Sequence, residues 1–169
     1  IPIVSFDTFG KMDTFINNYI GAGTQALYPV FENGYPLTKI YTVSGESIIQ
    51  MPTIQIIKQS IIRYGSNYEG AVKSARYHLG GSYVLPLQIS GQYKIYMFPT
   101  KACLHAECVW IALDHYKGCE RVDAQRTRVY LSHDRSIIVD CKTTLLMNRY
   151  NKALTLKNKI DNFLVSMQP

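Results

Sequence analysis

Two stretches of helical period, hinged on a glycine, stand between strand-like segments in the middle of this chain. Nothing else in the sequence constrains the fold as much. Ile54, Ile57, Ile61 and Tyr64 recur at helical spacing, with Gln55, Lys58, Gln59 and Arg63 on the other side. Pro52 stands where helices begin, and Gly65 offers the left-handed residue on which they end. Ser66 or Asn67 can cap a second helix over Tyr68 to Leu79, and Gly80-Gly81 stops it.

The flanks carry a different period. Thr24 to Phe31 reads as a strand, Glu32-Asn33-Gly34-Tyr35-Pro36 as a turn, and Leu37 to Val43 as the returning strand. Asn-Gly tolerates the positive φ that a two-residue hairpin turn demands. A turn over Ser44 to Ser47 leads to a third short strand, Ile48 to Met51. After the helical pair, strands are expected over Tyr83 to Ile89, Gln92 to Phe98 and Glu107 to Tyr116. Pro86 places the first of these at an edge or a bulge. Arg126 to Leu131 and Ser136 to Asp140 read as a hairpin across Ser132-His133-Asp134-Arg135. From Thr143 the period turns helical again, with Leu146, Tyr150, Ala153, Leu156, Ile160, Phe163 and Leu164 on one stripe. Asp13 to Ile20 offers a helical turn or two, ended by Gly21 and Gly23.

The expected fold class is therefore α+β: antiparallel strands, a central helical pair and a C-terminal helix. No linker or repeat interrupts the chain, so one domain over residues 1–169 is the simplest organisation. It comprises a β-rich part over 1–52, central helices and strands over 53–142, and a C-terminal helix over 143–169.

Charge bears on partners. The chain has 18 Lys and Arg against 12 Asp and Glu, a formal net charge of +6. Residues 53–80 hold four cations against one acid, and residues 143–169 hold the same, whereas residues 1–52 hold two against four. A basic excess on helices fits nucleic acid first, then an anionic membrane or an acidic protein. No run approaches the length of a membrane span, and the first residues lack the features of a signal peptide. The chain starts at Ile1, not Met, so removal of one or more residues is expected. A cytoplasmic protein with reduced thiols is expected.

Enzyme chemistry finds little support. Cys103, Cys108, His115 and Cys119 give C-x4-C-x6-H-x3-C, without the tight pair typical of structural zinc. An unbroken strand from Cys108 to His115 would send the two to opposite faces. His105-Ala106-Glu107 matches the start of a zinc deaminase signature, but P-C-x-x-C does not follow. No Walker, G-x-G-x-x-G or G-x-S-x-G motif occurs. The expectation is a non-enzyme without metal or cofactor.

The hinge itself has binding chemistry. Tyr64 and Tyr68 stand beside Arg63, Ser66, Asn67 and Lys73. Small residues let backbone approach a phosphate, and a helix N-terminus presents N–H groups to it. The alternative is an ordinary solvated helix junction.

These residues also carry a resemblance. Tyr64-Gly65-Ser66-Asn67-Tyr68-Glu69-Gly70, Pro86-Leu87, Ile95-Tyr96-Met97-Phe98-Pro99-Thr100, Trp110-Ile111 with His115, and Tyr150-Asn151 follow in the order and spacing of the bacterial competence transcription factor family, ComK. The resemblance covers roughly residues 58–160. Ala71 and Val72 depart from it, standing where the family has a basic pair. A tail shorter than the one with which family members meet a Clp-protease adaptor is expected.

What the resemblance implies is a sequence-specific activator of DNA-uptake genes. It would bind AT-rich boxes of double-stranded DNA, largely through the minor groove, as a homodimer or higher oligomer at the nucleoid. A Clp-protease adaptor is implied as a further partner. The residues expected to meet DNA are Arg63, Lys73 and Arg76, with Tyr64, Ser66, Asn67 and Tyr68 beside them, and Lys58 and Lys101 more peripherally. The rival from another class is a protein-interaction module whose basic face meets an acidic partner.

Overall fold

The computed structural model describes residues 3–4, 19–81 and 83–169. Ten strands and three α-helices follow one another among them. The strands are β1 (Ile3–Val4), β2 (Thr24–Glu32), β3 (Tyr35–Thr42), β4 (Gly45–Ile49), β5 (Leu87–Ser90), β6 (Ile95–Pro99), β7 (Trp110–Ala112), β8 (Tyr116–Arg121), β9 (Thr127–Leu131) and β10 (Arg135–Val139). The helices are α1 (Thr53–Arg63), α2 (Tyr68–Leu79) and α3 (Thr143–Ser166). The helical turn expected over Asp13 to Ile20 lies outside the described residues, apart from Tyr19 and Ile20.

A seven-stranded sheet runs in the order β1-β4-β3-β2-β7-β6-β5, and a three-stranded sheet in the order β10-β9-β8. The pairings are antiparallel except for β1 against β4. The large sheet buries a layer on each face. On one, Leu27, Ile40, Ile49, Leu87, Met97 and Trp110 pack with Ile56, Ile57 and Ile61 of α1 and Ala71 of α2. On the other, Ala26, Phe98 and Ile111 meet Val129 and Ile137 of the small sheet and Leu146, Ala153 and Leu156 of α3. Val72 packs against both clusters, so α2 bridges the two cores.

The β2–β3 hairpin forms as its Asn-Gly pair demands, with Asn33 at φ 51° and Gly34 at φ 78°. The β9–β10 turn uses the same left-handed region at His133 and Asp134, φ 59° and 55°. Fold class, the helical pair and its bounds, and both hairpins agree with the sequence reading.

Five expectations need correction. The third strand starts at Gly45, not Ile48, because the turn is tighter: Thr42 Oγ1 donates to the Gly45 carbonyl at 3.2 Å and closes it. The strand expected from Tyr83 begins only at Leu87, beyond Pro86, which cannot donate to a ladder; β5 is an edge strand, as the proline requires. Its partner begins at Ile95, not Gln92, because Lys94 sits in the turn at φ 53°.

The stretch from Glu107 to Tyr116 is not one strand. β7 is three residues long, a 3-10 turn over Leu113–His115 follows, and the chain then enters the small sheet as β8. No periodicity announces β8, whose residues read Tyr-Lys-Gly-Cys-Glu-Arg. The last correction concerns apolar stripes. Ile56 is fully buried on α1 although it lay outside the expected stripe, and Phe163 and Leu164 at the end of α3 are exposed.

The sheet-to-sheet junction is held by polar contacts. A register shift in β2 between Thr24 and Ala26 re-aims Gln25, whose Nε2 donates to the Ser132 carbonyl at 2.6 Å. His115 spans Ser132 Oγ at 2.7 Å from Nδ1 and the Ala22 carbonyl at 2.6 Å from Nε2. A carbonyl can only accept, so Nε2 carries the proton in this contact.

Candidate nucleic-acid interface

The hinge between α1 and α2 is built by two local motifs. At the end of α1 the Gly65 N–H donates to the Ile62 carbonyl at 3.0 Å and the Ser66 N–H to Ile61 at 3.1 Å. This is a Schellman closure, and its C′ residue must be left-handed; Gly65 has φ 92°. Asn67 then caps α2, its Oδ1 accepting from the Gly70 N–H at 2.7 Å. A Cβ at Gly70 would stand 3.1 Å from that oxygen, which explains a glycine inside the first turn. Of the two caps the sequence offered, Asn67 is the one used, and it takes one of the free N–H groups at this terminus.

The two tyrosines of the hinge face inward. Tyr64 Oη donates to the Ile20 carbonyl at 2.7 Å, and its ring meets Tyr93 edge-on at 5.7 Å. One turn earlier in α1, Ser60 Oγ accepts from the Ile20 N–H at 3.0 Å. Ile20 thus has both backbone polar groups tied to α1. Burial, then the neighbouring Tyr93, raise the Tyr64 hydroxyl above its ordinary value. Burial, reinforced by Cys103, pushes Tyr68 up to about 12. These hydroxyls support the hinge from below.

The cations lie outside. Arg63 is exposed at the end of α1, with its guanidinium 3.6 Å from the centre of the Tyr19 ring. Lys58 is half-buried, its Nζ 5.0 Å from the centre of the Tyr68 ring, which couples α1 to α2. Lys73 and Arg76 are exposed on α2, three residues apart and so on neighbouring turns of one face. Ser66 and Asn67 are exposed at the hinge. Lys101 is half-buried in the loop after β6, and its carbonyl accepts from Cys108 Sγ at 3.4 Å.

Lys58, Lys73, Arg76 and Lys101 enter no ion pair among the described residues; three acids are paired, with other cations. Glu46 holds Lys39 and Arg135, Asp123 holds Arg126, and Asp161 holds Lys94 and Lys157. Tyr19 and Ile20, which brace Arg63 and Tyr64, were missed by sequence reasoning because nothing local marks residues that meet a helix forty positions on.

The cysteine and histidine candidates are occupied structurally. Cys103 Sγ faces the Leu85 carbonyl at 3.6 Å, burial pushes the Cys108 thiol up to about 12, and both nitrogens of His115 are engaged at the junction. Among the described residues no group of three or more His, Cys, Asp or Glu stands placed to hold a metal ion. No helix among them is long and apolar enough to cross a membrane.

The fold and this surface place the protein among α+β chains with a basic helical flank. The chain belongs to the ComK protein family, whose sequence model matches residues 16–164. It is 23% identical over 154 residues to the "Competence transcription factor" of Bacillus subtilis (strain 168), covering 90% of this chain and 80% of that one. No solved structure matches it.

Proposed function

We propose that this chain is a DNA-binding transcription regulator of competence genes, and that it meets DNA through the exposed flank of α1 and α2. The observation that carries this is the local charge balance: α1 and α2 carry Lys58, Arg63, Lys73 and Arg76 against Glu69, and Lys73 and Arg76 stand exposed on α2 with no ion-pair partner among the described residues. Unneutralised cations on one flank displace counterions from a duplex, and this supplies affinity independent of sequence. Membership of the ComK family and likeness to a competence transcription factor support the same reading.

In its finer form the reading is an activator, non-enzymatic, that selects AT-rich boxes largely through the minor groove. That groove is narrow and strongly negative where A·T pairs run together, and it draws in Arg and Lys. Arg63, Lys73 and Arg76 are the groove and phosphate contacts, with Ser66 and Asn67 beside them and Lys58 and Lys101 at the margin. Tyr64 and Tyr68 hold the hinge that presents them. The protein acts as a homodimer or higher oligomer at the nucleoid.

Competition tests this reading. The full chain is bound to an AT-rich duplex and challenged with a GC-rich duplex and, separately, with a drug that fills the minor groove. Persistence against GC-rich DNA and displacement by the drug are expected. Equal competition by the GC-rich duplex would remove the AT-rich claim, and failure to bind either duplex would favour a module for an acidic protein partner.

A further inference from the structure

The side of α3 turned away from the core is chemically unusual. Thr144, Asn148, Asn151, Thr155, Asn158 and Asn162 succeed one another at steps of four, three, four, three and four residues, and all are exposed. At about 100° per residue these six form one spine, opposite buried Leu146, Ala153 and Leu156. An ordinary solvated helix face carries Glu, Lys and Gln, which favour helix; Asn and Thr are poorer helix formers. The four Asn side chains make no hydrogen bond among the described residues, and Thr155 Oγ1 bonds only back to the Asn151 carbonyl at 2.8 Å. The helix therefore bears residues that weaken it and that repay nothing within the fold.

The surroundings point to an occupant. Lys152 and Lys159 lie along one edge of the spine, and exposed Met147, Leu154 and Val165 lie along the other. Lys159 Nζ donates to the His78 carbonyl in the last turn of α2 at 2.7 Å, so the spine and the Lys73–Arg76 face stand on neighbouring helices. The three helices together carry eight Lys and Arg against Glu69 and Asp161. A row of uncharged amides and hydroxyls with cations along one edge complements base edges beside a phosphate backbone. Asparagine can donate to and accept from one base at once, and adenine presents that pattern in the major groove. In the minor groove, Asn reads the acceptors of A·T pairs.

We infer that the Asn–Thr spine of α3 reads base edges of the duplex, while the cations of α1 and α2 hold the backbone. This rests on the DNA-binding reading above and adds the element that supplies sequence preference.

The test replaces Asn148, Asn151, Asn158 and Asn162 together with Ala in the full chain. Alanine favours helix, so the thermal midpoint should hold or rise. Affinity for an AT-rich duplex should fall by roughly tenfold or more, affinity for a GC-rich duplex should change little, and the salt dependence should stay, because no charge is removed. Adenines carrying carbon in place of N7, or of N3, separate the grooves. One of the two should weaken the native chain and leave the variant unmoved. An unchanged AT-to-GC ratio, an equal loss on both duplexes, or indifference to both modified adenines overturns the inference. Altered self-association in ultracentrifugation with the A·T preference intact assigns the spine to a second copy and overturns it too. If the native chain binds no duplex, the DNA-binding reading itself falls. If the native chain binds and depends on Lys73 and Arg76 but not on the asparagines, only this inference falls.

Discussion

The amide of Ile20 donates to Ser60 Oγ at 3.0 Å, in a contact where both residues are fully buried. It ties the segment leading into β2 to the inner face of α1, and Tyr64 completes the tie one turn on by taking the Ile20 carbonyl. The surface cations of the hinge thus stand on a helix fixed from beneath. Ser60→Ala leaves a buried N–H without an acceptor and should destabilise the protein by about 1–3 kcal/mol in urea unfolding. A loss well below that range would mean that water or a neighbour replaces the hydroxyl.

Lys159 and His78 make a corresponding tie at the other end of α2, through Nζ and a carbonyl at 2.7 Å. A cation at a helix C-terminus satisfies an orphan acceptor and opposes the helix dipole, for about 0.3–1 kcal/mol. Lys159→Ala should therefore speed amide exchange in the last turn of α2 while sparing the first. Uniform exchange along α2 in the variant would contradict that local role.

The N-terminus of α2 depends on Asn67. Asn67→Ala removes the acceptor of the Gly70 N–H and should cost about 0.5–2 kcal/mol, whereas Asn67→Ser should restore most of it. Thermal unfolding of the two variants checks this. An alanine variant as stable as the serine variant would show that the cap contributes nothing.

Alkaline pH acts on the half-buried Tyr68 and the buried Cys108 thiol. Burial raises Tyr68 from 10.0 to about 12 and Cys108 from 9.0 to about 12. The folded chain keeps these protons at pH values where the unfolded chain has lost them. Their contribution is fully present below the ordinary values and is lost as pH rises towards about 12. Urea midpoints should fall as pH climbs through that window, and Tyr68→Phe should flatten part of the fall. Identical pH profiles for the native chain and Tyr68→Phe would refute the assignment.

How much of this was legible in the chain varied with the range of the interactions. The α1–Gly65–α2 unit could be read because each of its signals is local: helical spacing, a left-handed glycine, an asparagine three residues before the N–H it caps. The Asn33-Gly34 hairpin was readable for the same reason. β8 was not, because its polar residues alternate with nothing and it is held by pairing with β9. The break after Ala112 escaped notice since an apolar run reads alike whether it continues straight or turns into a second sheet. At the hinge, the sequence showed which residues gather but not which way they face. Tyr64 and Tyr68 turned inward because a carbonyl at Ile20 and a thiol at Cys103, both distant in sequence, receive them. The asparagines of α3 were overlooked because attention to the helix's apolar stripe leaves its opposite side unread.

The central claim is that the exposed cations of α2 hold a duplex, and the salt dependence of binding tests it most directly. For the native chain the logarithm of affinity should fall linearly with the logarithm of salt concentration. Changing Lys73 and Arg76 together to Ala should make the slope shallower by roughly 1.8, at about 0.9 per phosphate contact. Unfolding stability should stay within about 0.5 kcal/mol, because both side chains are exposed. A native affinity indifferent to salt, or a double variant with the native slope, would contradict the claim.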